Sequence, residues 1–75
     1  MSDNFFVLLE LDPSVDDWAV IEKAILEQRR IWGLHKNQGA PRARRNAERY
    51  LKLIPEMTEK LRDPAQRHAM AAEAR

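Results

Sequence analysis

The residues able to do chemistry are few. Two histidines, His35 and His68, lie far apart in a chain without cysteine. They would have to meet in space beside a carboxylate to hold a metal, and no spacing brings them together. Asp16 and Asp17 are adjacent acids, better placed as helix-start charges than as an acid–base pair. There is no glycine-rich phosphate loop and no nucleophile motif. The expectation is a protein that is not an enzyme and carries no metal or cofactor. What remains is charge that can bind. Lys36, Arg42, Arg44 and Arg45 cluster around one turn, with Arg30 upstream and Arg49 downstream. Such a group suits phosphates or carboxylates.

The cations belong to a polarised chain. Residues 1–22 contain six acids and no Lys or Arg, whereas residues 23–49 contain eight bases against Glu27 and Glu48. Two readings are open: the basic middle meets an acidic partner, or the acidic start folds against it and neutralises part of it. For nucleic acid, a salt-dependent phosphate contact is open, but Trp18, Trp32 and Tyr50 all fall on expected core faces. That leaves no platform for bases to stack on.

Four helices must position these groups. Asp3 or Asn4 can cap a short first helix bearing Phe5, Phe6, Leu8 and Leu9, which stops before the turn-rich LDPSVDD. Ser14 or Asp16 can cap the second. Its apolar row is Trp18, Ile21, Ile25 and Trp32 with Gln28 among them, and Val20, Ala24 and Ile31 form a stripe beside it. Gly33 should end that helix in a left-handed conformation, leaving a loop through Gly39, and Pro41 should open the third. The third helix, through Tyr50, Leu51, Ile54, Met57 and Leu61, should kink at Pro55 rather than end there, because the apolar pattern stays in phase. Asp63-Pro64 with Gln66 then opens an alanine-rich fourth helix. It runs out without a cap, as in a domain cut from a longer protein.

At 75 residues this is one small domain, with a modest core and no disulfide to staple it. No apolar stretch approaches the roughly 20 residues of a membrane span, and MSDNFF lacks the basic start of a secretory signal. A soluble cytoplasmic protein is expected.

The order of these elements resembles the J-domain of DnaJ-type co-chaperones, over about residues 4–70. NFFVLLELDPSVDD looks like that family's opening, and Ala24 and Trp32 match the small and aromatic positions of its second helix. Lys36-Asn37 with Gly39 looks like its loop, and LRDPAQR like the start of its last helix, with Arg67 at the common arginine. The resemblance implies an all-α domain, an antiparallel hairpin of two long helices with short first and last helices. The departure is at the tip: where the family has His-Pro-Asp, this chain has Gly33, Leu34 and His35. The outer positions of the second helix, basic in the family, carry Glu22, Leu26, Glu27 and Ile31, with Lys23 retained.

These departures imply a non-catalytic interaction module that does not stimulate a DnaK-type ATPase. Its partner would be another protein or another domain of the parent chain. The contact residues expected are Arg30, Lys36, Arg42, Arg44 and Arg45 for acidic groups, with Leu26, Ile31 and Leu34 as the apolar part. An atypical co-chaperone and a nucleic-acid binder are the alternatives.

Overall fold

The computed structural model describes residues 4–75, so the capping role considered for Asp3 lies outside the described residues. Four helices follow in order: α1 (Phe5–Leu8), α2 (Trp18–Gln38), α3 (Pro41–Arg62) and α4 (Pro64–Ala74). The fold is all-α. No described helix is long and apolar enough to cross a membrane.

Asn4 caps α1, its side chain accepting from the Phe6 N–H at 2.9 Å. The helix closes through Leu11 N–H to Phe6 O and Glu10 N–H to Val7 O, the paired bonds of a Schellman end. That end needs a left-handed residue, and Glu10 supplies it at φ 56°. Asp17, not Ser14 or Asp16, caps α2 by accepting from the Ala19 N–H. Ser14 instead turns back onto Asp12, giving its N–H and hydroxyl to one carboxylate oxygen at 2.8 and 2.7 Å.

The expected end at Gly33 is wrong. α2 continues to Gln38, and the chain reaches α3 through Gly39 and Ala40 alone. Neither glycine has a positive φ. Gly39 is required for space: a Cβ there would lie 2.6 Å from the His35 carbonyl oxygen, whereas one on Gly33 would meet nothing within 4 Å. One Gly costs a helix only about 1 kcal/mol against Ala, which the flanking Trp32, Leu34 and His35 turns absorb. α3 likewise passes through Pro55 without ending.

α2 and α3 run antiparallel. Trp32 near the end of α2 meets Tyr50 early in α3 with tilted rings, their centroids 5.2 Å apart. Trp18 at the start of α2 lies under the Arg62 guanidinium at the end of α3. Between them Ile21, Ile25, Trp32, Ala47, Met57 and Leu61 form the core, completed by Phe5, Phe6 and Leu9 from α1 and Ala71 from α4. Val20, expected beside the core row, is exposed.

α4 is tied down by polar bonds as well as packing. The Asn4 amide donates to the Met70 carbonyl at 2.8 Å. Arg67 is buried and bonded to two partners: its Nε donates to Asp16 at 2.7 Å and Nη1 to the Leu61 carbonyl at 3.0 Å. Asp63 caps α4 through the Ala65 N–H, and the Gln66 amide closes on the same carboxylate.

Candidate functional site: the cationic end of the hairpin

The connection between α2 and α3 is where the cations gather. His35 and Lys36 occupy the last turn of α2, favourable for charge against the negative end of the helix. Arg42, Arg44 and Arg45 crowd the first turn of α3, where cations oppose the dipole and no acid compensates. Solvation, local bonding or binding can each offset that small cost.

For Arg44 the answer is local. Its Nε donates to the Gly39 carbonyl at 2.8 Å, satisfying a group that the short connection leaves without a helical partner. Arg30 is also engaged, donating to Glu27 at 2.7 Å on the outer face of α2. The Arg49 guanidinium lies 5.0 Å from the Tyr50 ring centroid.

Arg42, Arg45, Arg49 and Lys52 are all exposed and succeed one another at intervals of three, four and three residues. At about 100° per residue they occupy one stripe of α3, roughly 15 Å long. Among the described residues no carboxylate is in ion-pair range of Arg42, Arg45, Lys52 or Lys36. The stripe stops at Glu56, which pairs with Lys60 at 3.1 Å. Arg49 and Lys52 were absent from the contact residues expected from the sequence. Arg49 belongs to the basic cluster of the sequence but not to its expected contacts, and the three-residue step from it to Lys52 on the same helix is the signal that extends the stripe.

Among the described residues, Asp12, Asp16 and Asp17 of the acidic start are engaged away from this end. Asp12 is bonded to Ser14, Asp17 caps α2, and Asp16 faces α4, taking bonds from Arg67 and from His68 Nε2 at 2.8 Å. The Arg67 hydrogen bond, followed by that of His68, holds the Asp16 carboxyl below its ordinary range. Asp16 therefore works as a tie rather than a helix-start charge.

The apolar residues do not form the patch their sequence positions suggest. Leu26 and Leu34 are exposed, but eight residues, about 12 Å, separate them along the axis with Arg30 between. Ile31 is half-buried and turned to the other side of α2. There it lines a cavity of ≈ 340 Å³ with Glu10, Gln28, His35 and Tyr50. His35 is thus a helical residue at the mouth of this cavity, not a loop residue. Leu26 borders a trough on the opposite side, with Trp18, Arg29, Ile54 and Thr58. Gly33, Leu34 and His35 are parts of α2, and none is held in a turn. Among the described residues no group of three His, Cys, Asp or Glu side chains converges as a metal site would need. No family model, no curated protein and no solved structure matches the chain.

Proposed function

We propose that this chain is a non-catalytic, J-like protein-interaction module of the cytoplasm that binds an acidic partner through its hairpin end and does not stimulate a DnaK-type ATPase. The observation that carries the reading is the continuous helix from Gly33 to Gln38, in place of a loop, at the positions where the resembled family has its signature. A proline-centred turn followed by a free aspartate cannot be reproduced there. Each residue of α2 is committed to helical geometry, and His35, at the aspartate position, supplies no fixed negative charge.

The cationic end supports the binding half of the reading. Four exposed cations on one stripe of α3, with Lys36 across the connection, make a surface to which acidic groups would be steered. Glu22 and Glu27 on α2, where the family is basic, oppose an acidic ATPase surface in the family's own docking position. An acidic partner is therefore expected to find its opposing charges on α3 and near the connection rather than at Glu22 and Glu27.

Single-turnover ATP hydrolysis by a DnaK-type chaperone, with and without the domain, tests this. No acceleration is expected. Acceleration by the natural sequence would overturn the reading and make the domain a co-chaperone with an altered tip. The triple change Gly33→His, Leu34→Pro, His35→Asp belongs beside it, because any activity it restores would locate the loss at the tip.

A further inference from the structure

α2 and α3 are covered on one side by α1 and α4. Their other side is open. A trough of ≈ 260 Å³ lies between them, lined by Trp18, Glu22, Ile25, Leu26, Arg29, Ile54 and Thr58. Farther towards the hairpin end, on the same side, a second hollow of ≈ 380 Å³ is lined by Lys36, Glu48, Leu51 and Lys52. Leu51 and Ile54 are one helical turn apart on α3, and Arg29 and Lys36 two turns apart on α2, so the two hollows lie in line along the helix pair. From Trp18 to Lys36 the run is about 27 Å, five turns of helix.

The chemistry of this trough is two-part. Its floor is apolar: Trp18, Leu51 and Ile54 are half-buried, and Leu26 is 55% exposed. Its rims carry Arg29 and Lys36 from α2 and Lys52 from α3, with the Arg62 guanidinium over the Trp18 ring at 5.4 Å. Glu22 and Glu48 are the opposing charges, so the rim is positive on balance.

We infer that this trough seats one amphipathic helix of the partner, about five turns long, with apolar residues on the floor and Asp or Glu side chains against Arg29, Lys36 and Lys52. This rests on the protein-interaction reading above and specifies its partner. Two antiparallel helices present a straight groove of alternating ridges, the shape into which a third helix packs. An apolar stripe flanked by acids satisfies floor and rim together. A nucleic-acid strand would satisfy the rim but not the floor: its phosphates would leave Leu26, Leu51 and Ile54 without an apolar partner.

The test uses the whole 75-residue chain and three probes. The first is a synthetic helical peptide of about 18 residues, with leucines at i, i+3 and i+7 spacing and glutamates beside them. The second replaces its glutamates by lysines, and the third is a short DNA duplex. Affinities come from fluorescence and sites from amide and side-chain NMR shifts. The acidic peptide is expected to bind with the Trp18 indole, Leu26 and Ile54 signals moving. The basic peptide should bind about tenfold more weakly or less, and Leu26→Glu and Lys52→Glu should each weaken the acidic peptide about tenfold. Both residues are exposed, so an unchanged circular dichroism spectrum is expected.

Equal binding of the two peptides, or none of either, would overturn the inference. Binding that survives Leu26→Glu and Lys52→Glu but is lost in the double change Arg42→Glu, Arg45→Glu would also overturn it. That result would place the partner on the outer stripe and leave the interaction reading standing. Binding of the duplex alone would overturn both.

Discussion

Glu10 is the residue whose backbone the sequence least announces. It is the one described non-glycine residue at positive φ, while the chain's two glycines both sit at negative φ. A left-handed conformation costs an L-residue roughly 1–2 kcal/mol. Glu10→Gly is therefore expected to raise stability by about 1 kcal/mol, which for a domain of this size is roughly 4–8 °C in melting temperature. Gly33→Ala should also stabilise, by up to about 1 kcal/mol, since its Cβ meets nothing. Gly39→Ala should destabilise, because its Cβ would press on the His35 carbonyl. Thermal melts of the three variants would check all three signs.

Asp16 makes a prediction in pH. Its folded-state carboxyl is held below the ordinary 3.8 by Arg67 and His68. The stabilisation is thus present above the unfolded value and is lost as pH falls through the lower folded one. Urea midpoints of the natural chain should drop across that acid window, and Asp16→Asn should show a lower midpoint at neutral pH with a shallower acid fall.

At the scale of the elements, α2 is set by its last five residues. Trp18 to Trp32 would be helical in almost any reading, since the apolar row repeats at three and four. The continuation through Gly33 depends on the residues after it. Ending at Gly33 would leave a loop of seven residues, 34–40, to cross a gap that Gly39 and Ala40 span. It would also remove His35 and Lys36 from the helical turn that faces α3. Leu34→Pro tests this: inside a helix it should cost about 3 kcal/mol, whereas in a loop it would be close to neutral. Leu34→Ala should change little in either case, so urea unfolding of the pair separates the two. Pro55 shows that such breaks can be tolerated. The apolar positions on either side of it, Leu51, Ile54, Met57 and Leu61, all pack on the core or form part of it, and tertiary burial holds α3 together across one lost hydrogen bond.

For the molecule as a whole, Asp12, Asp16 and Asp17 of the acidic start serve the fold, while Arg42 and Arg45 of the basic middle stay exposed. Arg67 is the pivot of that division. It buries a guanidinium between Asp16 and the Leu61 carbonyl and so joins the α1–α2 loop, the end of α3 and α4. Arg67→Ala strands the Leu61 carbonyl and opens a gap, and is expected to cost about 1–3 kcal/mol in urea unfolding. The contrasting change is Arg42→Glu with Arg45→Glu. Both residues are exposed and oppose the α3 dipole, so the melting temperature should stay level or rise slightly. If the hairpin end is the contact surface, partner affinity should fall with salt and fall further in this variant.

The sequence by itself determined the helical periods, the core rows of α2 and α3, the Asp63-Pro64 start of α4 and the asymmetry of charge. Each is a local property: spacing along one helix, a cap within a few residues, a sum over a segment. The tertiary structure decided which acid caps α2, that Gly33 stays helical while Glu10 goes left-handed, that Arg44 closes the connection, and that Leu26 belongs to a trough and Ile31 to the opposite side. Those outcomes depend on pairs such as Asp16 and Arg67, 51 residues apart in the chain. They depend too on a two-residue connection whose geometry is set by the two helices it joins. No local pattern carries that information, because the free energy that selects it arises only when the helices meet.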